Sequence, residues 1–356
     1  MNNVDRISAC DLINFATEVT ESLGAPPDRA RVTAKVLAAA DLRGIFSHGV
    51  AGGTGLKELV DRIPQNAIDP AALPDILRKN GWAVTSMNAN GGLGHPTAME
   101  ATHLAGDLAE EFGTGRVHVY DANHFGAACV YVEALLERGL AARTTCTAGS
   151  WMIPFGGNRV RLGTNPIAWG MPCGDENIII DIATTQRAVS PAIRAVRGGF
   201  PIPPDYFKDK NGNILEGIVS YENLIEGSVL PLGGEAFGYK GSGLNILVEL
   251  DNVIGGGSTR RIKSMRETPQ SRVSQTFEAW RIDFLYPEKE ARQRLIDTVS
   301  DIRKYGGPDM LLPGERETRQ RIDAEANGIP YEDAQWEMLR SISADTGTLL
   351  PDPISP

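Results

Sequence analysis

The sequence predicts an α/β or α+β fold in which a sheet formed by the middle of the chain joins helices from both ends. From about residue 80, short strand-like runs alternate with helical segments, which is the pattern of a mixed core of helices and strands. Residues 8–63 and the residues after Pro287 instead have apolar side chains at helical spacing. These observations predict two bodies, and a cleft between two such bodies is a common place for a ligand.

Local signals define the predicted helices. Ser8 caps a first helix that Gly24 ends, and Pro26-Pro27 open a second helix that is followed by Gly44. Further helices are predicted over residues 56–63, 97–111 and 127–138, and after Pro287 on both sides of a break at Pro313-Gly314.

Local residue patterns also predict the strands and the division of the chain into segments. Strands are predicted for the runs AVTSMNA, RVHVYDA, PIAWGMP and IIIDIA. Residues 198–217, rich in Pro, Asp, Asn and Gly, are predicted to form a long surface excursion, and the closing TGTLLPDPISP a loose tail. The predicted organisation is a helical N-terminal part over 1–115, a glycine-rich sheet domain over 116–261, and C-terminal helices over 262–356 that pack back on the N-terminal part.

Composition excludes several classes of function. A net charge of −10 argues against nucleic acid and against an anionic membrane as partners. No apolar run approaches the roughly 20 residues of a membrane span, and the first residues lack a signal-peptide pattern. The four cysteines are far apart and the five histidines have no metal-ligand spacing, so we expect no metal site and a cytoplasmic protein.

Polar residues among small ones are the candidates for chemistry. They occur in the runs Ser47-His48-Gly49, Asn123-His124-Phe125-Gly126 and Gly163-Thr164-Asn165-Pro166, and at Asp181 and Lys240. Taken singly, each also fits a turn, a helix cap or a surface lysine. There is no GxGxxG between a strand and a helix, no P-loop and no GxSxG elbow, so neither a Rossmann site nor a hydrolase of that type is supported.

Together, these blocks resemble one family. The runs DLRGIFSHGVA, GHPTAMEA, NHFGAA, PFGGNRVRLGTNPIAWGMP, IIIDIATT, GYKGSGLNILVE, LPGERE and NGIPYED are similar, in order, to the malate/L-lactate dehydrogenase family that lacks a Rossmann fold. The resemblance spans residues 8–340. It implies a homodimer whose mixed-sheet domain holds NAD or NADP, and hydride transfer between nicotinamide and a small 2-hydroxy/2-oxo acid or imino compound.

The resemblance also implies roles for individual residues. His48 and His124 match the two histidines of which one or the other handles the proton, and Asp181 matches a carboxylate that would orient an imidazole. Ser47, Lys57 and Asn123 are the predicted substrate contacts. The residues implied to lie near the cofactor are Ala148, Thr164, Asn165, Asp181, Ile182, Ala183, Thr184, Lys240, Gly314 and Glu315.

The segment after Ser47-His48-Gly49 departs from the family pattern. An arginine usually grips the substrate carboxylate there, with a tyrosine one helical turn beyond it. Here the segment is about three residues longer, and it has Gly52 or Gly55, then Leu56 or Leu59, at those positions.

Lys57 could replace the missing cation, but an ammonium is a poorer match to a carboxylate than a guanidinium. Two further departures are Phe46 in place of an aspartate and Ser190-Pro191 in place of Gly-Lys. We therefore expect an atypical substrate. The alternative is a nucleotide-binding protein that has lost hydride transfer, which the retention of His48, His124, Asp181 and Lys240 opposes.

Overall fold

The computed structural model describes residues 5–77, 81–174, 177–264, 267–307 and 309–354. The helices are α1 (Ala9–Ser22), α2 (Pro27–Leu42), α3 (Leu56–Arg62), α4 (Gly94–Phe112), α5 (Cys129–Leu136), α6 (Val189–Arg197), α7 (Tyr221–Glu226), α8 (Gly234–Ile254), α9 (Glu288–Tyr305), α10 (Glu315–Asn327) and α11 (Asp333–Thr346). The strands are β1 (Arg6–Ile7), β2 (Asp75–Leu77), β3 (Val84–Asn88), β4 (Thr114–Ala122), β5 (Ala141–Cys146), β6 (Ile167–Met171), β7 (Ile178–Ile182), β8 (Ile202–Lys208), β9 (Ile214–Gly217), β10 (Ser228–Val229), β11 (Val273–Trp280) and β12 (Ile329–Pro330).

A mixed seven-stranded sheet forms the first body, in the order β2-β3-β4-β11-β5-β6-β7. Only the β3–β4 pair is parallel, and the other neighbours are antiparallel. Helices α4 and α5 pack on the sheet around fully buried Tyr131 and Phe277. The predicted mixed-sheet fold without a Rossmann arrangement is confirmed.

The second body is helical and unites the two ends of the chain. Leu12 and Phe15 of α1 share one buried cluster with Trp336 and Leu339 of α11. Strand β1 also pairs with β12 near the other end of the sequence. Helices from both ends therefore build one core, as predicted. The seven-stranded sheet takes strands from all three predicted segments, and the segment boundaries themselves remain a prediction.

Residues 198–217, predicted to form a long surface excursion, are mostly exposed but contain regular strands that the sequence pattern did not predict. Strands β8 and β9 form a hairpin there, and β10 completes a small antiparallel sheet with its own apolar cluster. Pro203 and Pro204 concealed the strand from the sequence pattern because proline removes a ladder donor. They lie where the β8–β9 register shifts, between the pairings of Ile202 and Phe207, and the ladder is interrupted at that point.

Candidate active site

His48 lies on a short 3-10 turn directly after α2. Gly44 has a positive φ of 71°, which ends the helix and turns the chain into the Phe46–His48 turn. The buried carboxylate of Asp41 then accepts a hydrogen bond of 2.7 Å from the backbone N–H of Val50. A Cβ at Gly49 would overlap that carboxylate, so glycine is required for this close approach.

Three imidazoles converge beside this turn. The rings of His48 and His124 stack with their centroids 5.4 Å apart, and His95 approaches His124 edge-on at 6.4 Å. His48 and His124 are partly exposed, whereas His95 is buried and neither of its ring nitrogens has a hydrogen-bond partner among the described residues. Ser47 Oγ lies 2.8 Å from Nδ1 of His48. The structure therefore brings His48, His124 and Ser47 together.

Asp181 completes the His48 side of the site from the end of β7. Its Oδ2 accepts a 2.8 Å hydrogen bond from the backbone N–H of Cys129, at the start of α5, where the helix dipole favours negative charge. Burial raises the pKa of Asp181, and the hydrogen bond and the charge of His48 oppose that shift. Burial and the charge of His124 together lower the pKa of His48 to about 4, against the opposing effect of Asp181.

The His124 side of the site contains a second carboxylate, on α3. Nδ1 of His124 lies 3.7 Å from Oε2 of Glu58, whose side chain is 5% exposed. Glu58 Oε1 is held by the guanidinium of Arg62, which is also buried. Sequence reasoning missed both residues. Their spacing is that of an ordinary surface pair on a helix, and nothing in it shows that the pair is buried.

Asn123 anchors the loop that carries His124. Its Nδ2 donates to the carbonyl oxygens of Gly91 and Gly92, at 2.8 Å each. Its Oδ1 accepts from Arg62 at 2.8 Å and from Arg272 at 3.0 Å. The amide is thus engaged by protein groups, and a substrate contact by Asn123 stays a prediction.

Lys57 points to a different set of partners. Its ammonium pairs with Asp61 on the same helix and lies 3.4 Å from Asp345 on α11. The charge is therefore already neutralised, so the contacts do not favour Lys57 as the substrate cation. That role remains an untested prediction.

Several predicted cofactor residues form one internal hydrogen-bond network. The backbone N–H of Ala148 donates to Asn165 Oδ1, and Thr184 Oγ1 donates to the carbonyl oxygens of Thr164 and Asn165. Asn245 on α8 donates to Thr184 Oγ1. Asn165 and Thr184 are fully buried, so their side chains shape the surroundings of β6 and β7.

The other predicted cofactor residues lie around this network. Ile182 is 45% exposed and Ala183 partly buried, so these two can meet a ligand. Lys240 is exposed, with Nζ 5.4 Å from the centre of the Phe237 ring.

Gly314 precedes α10 and packs on Ile179 of β7. Glu315 accepts a hydrogen bond from the N–H of Leu312 and pairs with Arg303 and Arg319. The carboxylate of Glu315 is thus already held by protein groups.

A cleft of about 290 Å³ opens beside Ser47, on the turn that carries His48. Phe46 and Ser47 line one wall, and Pro191 and Arg194 of α6 line another, together with Arg316 of α10. Both of these arginines are exposed, and they place positive charge in an otherwise acidic protein. Phosphate groups favour such a site, which no motif in the sequence revealed.

The described parts of the chain show neither a metal-binding cluster nor a membrane-spanning helix. No group of three or more His, Cys, Asp or Glu side chains in them is arranged to hold a metal ion. No helix there has the length and apolar composition to cross a bilayer.

Known proteins match this chain over nearly its whole length. Malate dehydrogenase from Pyrococcus abyssi is 31% identical, over 97% of this chain and 96% of the relative. (2R)-3-sulfolactate dehydrogenase (NADP(+)) from Chromohalobacter salexigens is 31% identical over 68% of this chain and 70% of its own. The solved structure of Δ1-piperideine-2-carboxylate reductase from Pseudomonas syringae superposes with a TM-score of 0.83 at 27% identity, covering 95% of this chain and 99% of the other.

The family model of malate/L-lactate dehydrogenases matches residues 7–340. These residues include every element of the site, from His48 to Glu315. The chain therefore belongs to the malate/L-lactate dehydrogenase family and is an NAD(P)-dependent oxidoreductase.

Proposed function

We propose that this enzyme transfers a hydride between NAD(P) and a small 2-hydroxy/2-oxo acid or imino compound, with His48 and His124 handling the proton. The observation that carries the proposal is the stack of these two imidazoles, both of which are partly exposed. A bound nicotinamide supplies or accepts the hydride. The protein must then move one proton to or from the substrate oxygen or nitrogen, and neutral imidazole is suited to accept it.

The cleft and the predicted cofactor residues both offer groups that fit a dinucleotide. Arg194 and Arg316 would hold phosphate groups, and exposed Ile182 offers an apolar surface for a ring. Lys240 and the backbone around Ala183 and Gly314 would complete the contacts. The direct cofactor contacts are proposals, supported by exposure and charge.

A thermal-shift titration tests cofactor binding. NADH or NADPH at about 100 times its dissociation constant stabilises a protein by roughly 2.7 kcal/mol, which gives a visible rise in melting temperature. Turnover with a panel of 2-oxo acids and cyclic imines then tests the reaction. If neither nucleotide raises the melting temperature at millimolar concentration, the proposed function is wrong.

The proposed substrate differs from plain malate or lactate. The guanidinium next to His124 belongs to Arg62, and it is occupied by Glu58, Asn123 and two backbone carbonyl oxygens. A substrate carboxylate placed there would meet a carboxylate, Glu58, before it met a free cation. Rapid turnover of pyruvate or oxaloacetate by the native enzyme would contradict this proposal.

We also propose a homodimer, supported by the apolar side of α8. This side is formed by Leu244, Leu247, Leu250 and Ile254, which recur at helical spacing and are 40–77% exposed. A second copy of the chain would bury this stripe. Light scattering of the native protein should give twice the 38.3 kDa mass of one chain. The double variant Leu247→Glu/Leu250→Glu should have the mass of one chain, whereas the control Ile302→Glu, on α9, should keep the mass of the dimer. A native mass of one chain would contradict the dimer.

A cytoplasmic location remains a proposal. Its support is the state of the four cysteines, all of which are free thiols, as expected in a reducing compartment.

A further inference from the structure

Glu58 is a buried carboxylate with one oxygen unused. Its Oε1 is bonded to Arg62, whereas Oε2 has no hydrogen-bond partner among the described residues and lies 3.7 Å from Nδ1 of His124. Buried polar atoms without a partner are rare because each one costs the free energy of its lost hydration. An unused oxygen beside an imidazole nitrogen therefore calls for a functional reason.

Arg62 keeps this carboxylate in place. Nε of Arg62 donates to the carbonyl oxygen of Pro269 at 2.9 Å, and Nη2 donates to that of Ser271 at 3.1 Å and to Asn123 Oδ1 at 2.8 Å. Asn123 precedes His124 in the chain. One guanidinium thus fixes both the carboxylate and the loop that carries the imidazole, so their separation is set by packed groups.

The Glu58 carboxyl and the His124 imidazole differ in their pKa values, and so in their protonation near neutral pH. Burial raises the pKa of Glu58 to about 7, against the opposing charge of Arg62. Burial and the charge of Arg62 together lower the pKa of His124 to about 4. The charged or titratable groups around the pair are Arg62, Arg272, His48, His95 and Asp181. The carboxyl, rather than the imidazole, is the better proton store at working pH.

We propose that Glu58 is a positioning residue for His124 that stores a proton on Oε2 and passes it to Nδ1 as His124 gives its Nε2 proton to the substrate. During reduction, the hydride reaches the substrate carbon and the substrate oxygen takes the Nε2 proton of His124. The Oε2–H bond of Glu58 breaks and an N–H bond forms at Nδ1. Imidazole stays neutral overall, and the new carboxylate is held by Arg62. Oxidation runs the same steps backwards.

This inference rests on the proposed hydride transfer, and its test separates the two. Carbon-13 NMR of the Glu58 carboxyl in the resting protein, assigned with Glu58→Gln, should show a titration near pH 7. A carboxyl that titrates below pH 5 overturns the proposal, whatever the substrate. Failure of the native enzyme to reduce any oxo or imino acid would sink the proposed function and leave this carboxyl titration intact.

Activity gives the second readout. In the reduction direction, kcat/KM of the native enzyme should fall above about pH 7, which gives the pH profile an alkaline limb. Glu58→Gln should remove this alkaline limb and lower the pH-independent value of kcat/KM about 10²-fold. Glu58→Asp keeps a titratable carboxyl and should retain the limb at a lower rate. The control is Glu288→Gln, since Glu288 forms the same i,i+4 pair with Arg292 on the surface of α9. A Glu58→Gln enzyme that is slower but keeps the native limb overturns the relay, because a merely structural role would behave in that way.

Discussion

Two imidazole–carboxylate pairs face each other across the site, and each pair joins the two bodies of the molecule. His48 comes from the helical body and its carboxylate, Asp181, from the sheet. His124 comes from the sheet body and its carboxylate, Glu58, from helix α3. The crossed arrangement means that neither pair exists unless the bodies are correctly docked.

The pairs differ in what holds the carboxylate. A backbone N–H at the start of α5 holds Asp181, whereas the buried Arg62 side chain holds Glu58. A backbone N–H is kept by every substitution except proline, whereas the guanidinium is lost in any substitution of Arg62. The His124 pair can therefore be altered more readily by side-chain substitution. Its carboxylate, Glu58, lies in the segment whose length departs from the family pattern.

Removing either imidazole should have the largest effect. We expect His48→Ala and His124→Ala to lower turnover by about 10²–10⁴-fold while NAD(P)H affinity stays nearly unchanged, because general acid–base catalysis contributes that much. Steady-state kinetics and cofactor titration measure the two quantities. Equal losses would indicate that both rings serve the substrate atom, and an unequal pair of losses would identify the ring that contacts it. Native turnover in both variants would refute a proton role for either.

Replacing Arg62 breaks only the second pair. Arg62→Met leaves Glu58 and the Asn123 amide without their shared donor, and each buried polar group left without its hydrogen bond costs about 1–3 kcal/mol. Urea denaturation measures this loss. Arg292→Met, in the more exposed pair of α9, is the control and should cost less than about 1 kcal/mol. Equal stability of the two variants would mean that Arg62 is not the hub of the His124 pair.

The free energy of unfolding should depend on pH through Asp41, which supports the turn that carries His48. Burial raises the pKa of Asp41 from 3.8 to about 7, so between these values the folded protein keeps a proton that the unfolded chain has lost. Stability from this group is therefore lost as the pH rises through that window. Asp41→Asn should gain stability relative to the native protein between pH 5 and pH 8, as measured by urea denaturation. If the free energies of unfolding of the two proteins changed in parallel with pH, the raised pKa of Asp41 would be contradicted.

Lys57 should give the smallest effect. It neighbours Glu58 in sequence but pairs with Asp61 and Asp345 at the surface, and such exposed pairs contribute about 0–1 kcal/mol. We expect Lys57→Ala to change KM less than about threefold, a difference within that range of free energy. A tenfold rise in KM for an anionic substrate, with kcat preserved, would instead assign substrate binding to Lys57.

Sequence reasoning was accurate where local signals or whole blocks carry the information. Ser8 caps α1 and Gly44 ends α2, because capping depends on a few adjacent residues. His48, His124 and Asp181 could be proposed because their blocks occur together and in order, and their roles stay a prediction. Glu58 and Arg62 were not, since their burial depends on contacts with Asn123 and with residues 269–271, far along the chain. Pro203 and Pro204 hid β8 because the register shift that accommodates them is a tertiary feature.

The core shared by the two ends of the chain has a consequence for biosynthesis. Leu12 and Phe15 are made long before Trp336 and Leu339, which pack with them in the folded protein. The sheet strands through β11 are complete before then, so the sheet can form while the peptide is still being extended. Phe46, on the turn that carries His48, packs against this core and lacks its full support until α11 has been made. The sheet can thus hold His124 in place at a stage of synthesis when the turn that carries His48 is not yet fully packed.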